Sequence, residues 1–213
     1  MTVVAIDGPG GSGKSTVAAA LASRLGLEWL DTGAMYRAVA LAALRRGIAP
    51  GDGEALAAVT RGLRMEMGPR VLLDGEDVTA AIRGHDVDAV VSSVASHRGV
   101  REELVGRQRE WVAARGSAVV EGRDITSVVL PDADLKVYLT AEPAERALRR
   151  AGEHAGGVPA HAQVAATGEA IERRDRLDAG RTHSPLVVAE GAVVVDSTGR
   201  TVAEVVDEIV ALL

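Results

Sequence analysis

The sequence predicts an α/β fold, a three-layer α/β/α arrangement around a central parallel sheet, with a small antiparallel sheet inserted. Short, nearly continuous apolar runs alternate with helical patterns along the 213 residues, as expected when a parallel sheet is buried on both faces. Between residues 63 and 78 the alternation breaks into short segments separated by Gly-Pro and Asp-Gly, turn signals that indicate an antiparallel meander. We therefore expect one α/β domain that carries a β-rich insert.

Each predicted element follows from a local pattern. The first strand is a β-branched apolar run that stops at Asp7, and the first helix repeats apolar residues at helical spacing until Gly26. By the same criteria, strands are predicted at residues 2–6, 27–30, 118–120, 135–139 and 192–195. Helices are predicted at residues 15–25, 34–46, 53–61, 86–96, 100–115, 143–150, 168–178 and 202–212. The Gly-rich segment 152–159 is predicted to be flexible.

Composition and charge exclude several classes of function. Apolar residues make up 47% of the chain and charged residues 25%, so the chain is an ordinary globular one. The net charge of −6 argues against a nucleic-acid polymer as partner, and the absence of cysteine excludes disulfides and thiolate metal sites. The sequence shows no export signal and no apolar run near about 18 residues, so we expect a cytoplasmic protein without a membrane span. We also expect a monomer.

The segment between the first strand and the first helix matches the phosphate-binding loop G-x-x-x-x-G-K-[ST] at every fixed position. Glycines let backbone N–H groups surround a phosphate, and the helix N-terminus adds a positive dipole. Lys14 would reach the β- and γ-phosphates of ATP, and the Ser15 hydroxyl would bind Mg²⁺ together with the ATP phosphates. The predicted phosphate-binding residues are Gly8, Pro9, Gly10, Gly11, Ser12, Gly13, Lys14, Ser15 and Thr16.

A phosphate loop alone does not name a function, because switches, motors and kinases all carry it. A GTPase switch needs an Asn-Lys-x-Asp motif to bind guanine, and this chain contains no Asn. A motor would be expected to be longer than 213 residues. The remaining class is the small-molecule kinases, which need a second site for the acceptor.

Arginines in particular contexts indicate that the acceptor is itself anionic, since a guanidinium binds phosphate oxygens in two places. Arg37 lies at a predicted strand-to-helix junction, and Arg123 follows the apolar run 118–120 directly. Both are positions where ligands approach a doubly wound sheet. Arg174 and Asp178 share a helix face, which is equally compatible with a surface ion pair. On the residues alone, that choice stays open.

Motifs along the whole chain resemble those of the bacterial cytidylate kinase family, which phosphorylates CMP and dCMP. The first two are Ile-Asp-Gly-Pro-Gly-Gly-Ser-Gly-Lys-Ser at 6–15 and Asp-Thr-Gly-Ala-Met-Tyr-Arg at 31–37. The others are Val-Arg-Glu at 100–102, Glu-Gly-Arg-Asp at 121–124, Pro-Asp-Ala at 131–133, Arg-Arg-Asp at 173–175 through Arg181, Ser-Pro-Leu at 184–186 and Asp-Ser-Thr at 196–198. They follow the family's order from one end of the chain to the other.

The resemblance implies which residues hold the acceptor. The acceptor phosphate would contact Arg37, Arg123 and Arg181, which act in catalysis together with Lys14. Cytosine would be bound by Ser92, Arg101 and Asp124, in a pocket also lined by Thr32 and Tyr36. The ribose hydroxyls would be engaged by Arg174 and Asp178.

The resemblance also implies a division of the single kinase domain 1–213. A P-loop NTPase core would comprise about 1–58 and 106–213, with an NMP-binding insert at about 59–105 and a helical lid at about 145–164. Lid residues that would reach the donor phosphates are Arg146, Arg149 and Arg150. Two positions depart from the family: Thr32 stands where Ser is more frequent, and Ile125-Thr126 where Met-Gly is frequent.

The implied reaction is MgATP plus CMP or dCMP giving ADP and the nucleoside diphosphate. A carboxylate facing the cytosine N4 amine and a guanidinium facing N3 and O2 would reject uracil, because uracil reverses those donors and acceptors. Two alternatives remain. One is another small kinase, acting on UMP, AMP or a metabolite such as shikimate, and the other is a non-catalytic nucleotide-binding regulator.

Overall fold

Five strands form a sheet in which every registered pair is parallel. They are β1 (Val3–Asp7), β2 (Glu28–Asp31), β6 (Ala118–Gly122), β7 (Leu135–Thr140) and β8 (Val193–Asp196). Their order is β2-β6-β1-β7-β8, so that β1 has a strand on each side. The computed structural model describes residues 1–155, 159–181 and 184–213. The described residues divide into two compact units: a core unit, Met1–Trp29 with Gly116–Leu213, and an inserted unit, Leu30–Arg115.

Three very short strands form a second, antiparallel sheet inside the inserted unit. They are β3 (Met65–Glu66), β4 (Leu72–Leu73) and β5 (Glu76–Asp77). The turn between β4 and β5 is Asp74-Gly75, and both residues have positive φ, 51° and 86°. Two successive residues with positive φ are characteristic of a tight hairpin turn, which is why the Asp-Gly pair predicted it. The parallel sheet with its helices and this small sheet confirm the predicted fold class.

Eight helices connect the strands. They are α1 (Lys14–Leu25), α2 (Thr32–Arg45), α3 (Gly53–Gly62), α4 (His85–Val94), α5 (Arg98–Arg115), α6 (Pro143–Ala155), α7 (His161–Ala179) and α8 (Val202–Ala211), as far as the described residues extend. Two shorter turns complete the structure, a 3₁₀ turn at Ala81–Arg83 and a π turn at Ile125–Val129. A membrane-spanning helix would need a longer apolar stretch than any helix in the described part of the chain offers.

The hydrophobic centre of the core unit lies between the sheet and two helices. Alternate residues of each strand point to one face, so Val4 and Ile6 of β1 lie beside Val137 and Leu139 of β7. α1 and α8 cover this face with buried side chains that belong to the same cluster, including Leu21 and Ile209. β1 and α1 are thereby packed against each other, and this packing holds both ends of the loop that joins them.

Helix prediction was wrong in the segment between β7 and β8. α6 continues through Gly152 to Ala155, and α7 begins at His161, seven residues before the predicted start. No atom lies within 4 Å of a Cβ added to Gly152, so this glycine costs only its intrinsic helix penalty of about 1 kcal/mol. Gln163 accepts a hydrogen bond from the Ala160 N–H and so caps the start of α7. Gly156 and Gly157 of the predicted flexible segment lie outside the described residues.

The π turn after β6 is held by Asp7, the last residue of β1. The carboxylate of Asp7 is fully buried and accepts hydrogen bonds from Ile125 N at 2.8 Å, Thr126 N at 2.7 Å and the Thr126 hydroxyl at 2.6 Å. Burial raises the pKa of Asp7, and these bonds only partly offset that effect. Thr126, which departs from the family pattern, therefore has a structural role.

We expect Thr126→Val to lower the free energy of unfolding by about 2 kcal/mol, because it leaves one oxygen of a buried carboxylate with fewer partners. Thr126→Ser keeps the hydroxyl and should lower the free energy of unfolding by about 1 kcal/mol, because it removes one buried methyl group. Urea unfolding of both variants checks the difference. Equal stability of the Val and Ser variants would contradict the role of the hydroxyl.

Candidate active site

The phosphate loop starts at the edge of the sheet where three parallel strands end. Register pairs Asp7 with Gly122 of β6 and with Tyr138 of β7, so the chain after each strand emerges at the same edge. Gly8 follows at φ 152°, and a Cβ there would lie 2.0 Å from the carbonyl oxygen of Leu139. At Gly11, with φ 73°, a Cβ would lie 2.5 Å from the carbonyl oxygen of Arg146. Only glycine fits these two approaches.

Lys14 is the first residue of α1, and its side chain turns back over the loop. Its ammonium group donates a hydrogen bond to the Pro9 carbonyl oxygen at 2.7 Å. Burial and the charge of Arg123 lower the pKa of Lys14 to about 8, although Glu121 and Asp175 oppose this. Because these surroundings disfavour the charged form of Lys14, an anionic ligand beside it would stabilise that charge.

Glu121 is a candidate site residue to which sequence reasoning gave no role. It lies on β6 in register with Ile6 of β1, is 3% exposed, and acts electrostatically on Lys14. The available signal was its position as the first acidic residue at the end of a buried strand. The Glu121 carboxylate and the Ser15 hydroxyl are each hard oxygen donors, the type that suits Mg²⁺. In the described residues no three acidic, His or Cys side chains form a metal cluster, so a cation here would also need ligand oxygens.

Asp178 on α7 gathers three of the arginines predicted from the sequence. Its carboxylate pairs with Arg181, lies 3.5 Å from Nε of Arg123, and lies 4.0 Å from Nε of Arg174. Asp178 is only 1% exposed. The Arg174–Asp178 contact therefore has one buried partner, Asp178, and one partly exposed partner, Arg174. Asp124, another predicted residue, is also buried.

The helix α6 contacts the phosphate loop through two of the three predicted lid arginines. Nη1 of Arg146 donates to the Gly10 carbonyl oxygen at 3.0 Å. Nη1 of Arg149 donates to the Ser197 hydroxyl at 2.9 Å, and that hydroxyl donates to the Ser12 carbonyl oxygen at 3.1 Å. Ser197, which follows β8, thus links Arg149 of α6 to the phosphate loop. Arg150 is half-buried on the same helix.

The inserted unit carries the other predicted acceptor residues. The guanidinium of Arg101 lies 5.4 Å from the centre of the Tyr36 ring, close enough for a cation–π contact. Arg37, adjacent to Tyr36 on α2, donates to Asp88 at 2.5 Å and to the Ile82 carbonyl oxygen at 3.1 Å. Thr32 is buried at the first position of α2, and Ser92 is half-buried on α4.

Asp88 is a second residue that sequence reasoning missed. It stands on α4 four residues before Ser92, and its ion pair with Arg37 is largely buried. No sequence motif pointed to it, because the contact spans 51 residues of chain. It fixes the position of an arginine that would otherwise carry an unpaired charge in a buried setting.

Comparisons with known proteins identify the family. A family model described as cytidylate kinase matches residues 4–213. The cytidylate kinase of Mycobacterium avium (strain 104) is 49% identical over 97% of this chain and 92% of its own length. That of Symbiobacterium thermophilum is 49% identical over 97% of this chain and 93% of its own length.

One solved structure shows the same fold at low sequence identity. It is an uncharacterized protein from Eubacterium ventriosum ATCC 27560, 13% identical, with a TM-score of 0.55 over 99% of this chain and 97% of that one. The family itself is shown by the sequence matches, which extend over nearly the whole chain and include the phosphate loop. The chain belongs to the cytidylate kinase family.

Proposed function

We propose that this chain transfers the γ-phosphoryl group of ATP to CMP or dCMP and releases ADP and the corresponding diphosphate. The observation that carries the proposal is the adjacency of the phosphate loop and the arginine cluster inside the core unit. A Cβ on Gly10 would lie 3.4 Å from Nη2 of Arg123, so the loop that suits a donor phosphate adjoins the arginine proposed for the acceptor.

The donor half of the reaction is assigned to the loop and α6. Backbone N–H groups of residues 11–15 and the ammonium of Lys14 would bind the ATP phosphates, with Arg146 and Arg150 beside them. Mg²⁺, which the donor set of Ser15 and Glu121 suits, would supply charge neutralisation between the phosphates when bound. The transition state of phosphoryl transfer is loose, so these residues act mainly by positioning and by neutralising charge.

The acceptor half is assigned to the residues that the family resemblance implies. Arg37, Arg123 and Arg181 are proposed for the acceptor phosphate. Ser92, Arg101 and Asp124, with Thr32 and Tyr36, are proposed for the base, and Arg174 and Asp178 for the ribose. The acceptor phosphate is already an anion near neutral pH, so the proposal needs no general base. Support comes from the family membership and from the buried Asp178 cluster.

The proposal extends to domain organisation. The insert is proposed at about 59–105 and the lid at about 145–164, part of which lies outside the described residues. Closure of a lid would exclude water and so suppress ATP hydrolysis. The cytoplasmic location and the monomeric state stay predictions.

A coupled assay of ADP release tests the substrate. We expect CMP and dCMP to be phosphorylated with kcat/KM at least about 100-fold above UMP and AMP, because uracil would leave buried polar groups unpaired. Shikimate as the preferred acceptor would contradict the proposal.

A second measurement separates a kinase from a non-catalytic regulator. Arg181→Ala should lower kcat/KM for CMP by about 100-fold while ATP still binds, because Arg181 belongs to the acceptor side. Glu208→Ala, which removes a partly exposed partner of Arg200 on α8, is the control and should leave both unchanged. Binding of ATP without any acceptor-dependent turnover in the unmodified chain would favour the regulator.

A further inference from the structure

One carboxylate on α7, that of Asp175, lies between the phosphate loop and two arginines. Its Oδ1 accepts a hydrogen bond from Gly10 N at 3.0 Å and from Nη1 of Arg123 at 2.7 Å. Its Oδ2 accepts from Nη1 of Arg146 at 2.6 Å. Three segments that are distant in the chain, the loop, the end of β6 and α6, therefore meet at a single side chain.

The setting makes these contacts strong. The side chains of Arg123, Arg146 and Asp175 are 16%, 10% and 15% exposed, so solvent screens their charges only weakly. Burial alone would raise the pKa of Asp175, but the charge of Arg123 and the hydrogen bonds from Gly10 and the two arginines hold it below its ordinary value. Asp175 is therefore an anion at neutral pH.

Asp175 differs from Asp178 in what it connects. Asp178 pairs with Arg123, Arg174 and Arg181, which the proposed function places on the acceptor side alone. Asp175 instead joins Arg123 of the acceptor side to Arg146 of the donor side. In-line transfer depends on the relative placement of the two substrates, and an error of about 1 Å can cost about 100-fold in rate.

We propose that Asp175 is a positioning residue that sets the distance between the donor-side and acceptor-side arginines and anchors both to the phosphate loop. This inference rests on the proposed function. Asp175 accepts from Nη1 of each arginine and so fixes the plane of two guanidinium groups that would otherwise repel each other. It also orients the loop itself, since the Gly10 N–H bonds to its carboxylate while the Gly10 carbonyl accepts from Arg146.

Asp175→Asn tests this with the least change in shape, because the amide oxygen can still accept from one partner but the charge and both ion pairs are lost. We expect kcat for CMP to fall by about 100-fold, with KM for ATP and CMP changed by less than about tenfold. Glu172→Gln is the matched control: it removes one negative charge from an exposed pair with Arg176 on the same helix and should leave kcat unchanged. Thermal unfolding of both variants reports on folding.

Two further variants distinguish positioning from general stabilisation. Asp175→Glu keeps the charge and should recover part of the lost kcat, which it would not do if only the fold were weakened. In an Arg146→Ala background, Asp175→Asn should lower kcat by a factor at least about fivefold smaller than in the unmodified chain. One of the two arginines that Asp175 binds is already absent there. If Asp175→Asn does not fold, Asp175→Glu replaces it in the test. The kcat of Asp175→Glu is then compared between the unmodified chain and the Arg146→Ala chain.

The outcomes separate the two proposals. An unmodified chain that phosphorylates neither CMP nor dCMP would overturn the proposed function. An active chain whose Asp175→Asn variant keeps kcat within about threefold, or loses activity only through KM, would overturn the role of Asp175 and leave the function standing. Tighter ATP binding with undiminished kcat in Asp175→Asn would also overturn it, because Asp175 would then be competing with a phosphate.

Discussion

Lys14→Met is expected to lower kcat for CMP phosphorylation by at least about a thousandfold. The ammonium is the one lysine charge at the loop, and charge stabilisation of a transferring phosphoryl group is usually the largest single contribution to catalysis. Met preserves the length and the apolar part of the side chain, so the loss isolates the charge. Steady-state assays at saturating ATP and CMP measure it.

The control is the same substitution at the only other lysine. Lys136 on β7 donates to the Glu190 carbonyl oxygen at 2.5 Å and is half-buried, as Lys14 is. Lys136→Met should leave kcat within about threefold of the unmodified enzyme, since its hydrogen bond to Glu190 does not reach the phosphate loop. Equal losses in the two variants would contradict a specific role for Lys14.

The pH dependence of ATP binding gives the same lysine a second readout. With a pKa of about 8 in the free enzyme against an ordinary 10.5, Lys14 is neutral above pH 8 and must take up a proton when ATP binds. ATP affinity should therefore weaken as pH rises above 8, by up to about tenfold per unit. Stability of the free protein should change in the opposite sense, rising between pH 8 and 10.5, because there the unfolded chain binds more protons. Titrations and melting curves of Lys14→Met should lack both effects.

Gly8→Ala is expected to abolish ATP binding and to lower the free energy of unfolding by at least about 3 kcal/mol. A methyl group there would lie 2.0 Å from the Leu139 carbonyl oxygen and 3.3 Å from the Ser12 hydroxyl. Neither neighbour can retreat freely, because Leu139 is fully buried in β7 and Ser12 belongs to the loop itself. The loop must leave the sheet edge, and its N–H groups lose their common direction.

Gly26→Ala is the comparison for this variant. Gly26 also has positive φ, 66°, but no atom lies within 4 Å of its added Cβ. Gly26→Ala should lower the free energy of unfolding by about 1 kcal/mol and leave ATP affinity unchanged. Urea unfolding and ATP titration of both variants check the expectation, and retained ATP binding in Gly8→Ala would show that the loop tolerates displacement.

The phosphate loop could be predicted because each of its fixed positions has a local reason. Gly8 and Gly13 have positive φ values of 152° and 86°, which side chains disfavour, Lys14 supplies a charge, and the flanking apolar runs identify the strand and helix. The same holds for the Asp74-Gly75 turn, whose positive φ values depend on two adjacent residues. Structure that is determined within a few residues is visible in the sequence.

The residues that escaped sequence reasoning have partners that are distant in the chain. Asp175 contacts Gly10 across 165 residues, and Asp7 contacts Thr126 across 119. An acidic residue carries no local mark of such a partner, since strand register and helix placement decide it. The early start of α7 was missed for a different reason: residues 160–167 were assigned to no element, although Ala favours helix and Gln163 caps the segment.

The pairing of β1 also determines when this enzyme can first work as it is made on the ribosome. Both neighbours of β1, β6 and β7, lie more than a hundred residues downstream, and the Ser197 hydroxyl that supports the Ser12 carbonyl lies 185 residues away. The nucleotide-binding loop is translated among the first residues, but the strands and the serine that contact β1 and the loop are absent until most of the chain has been synthesised. The inserted unit, Leu30–Arg115, is continuous and can gain its contacts earlier. A nascent chain should therefore acquire ATP affinity only near the end of translation.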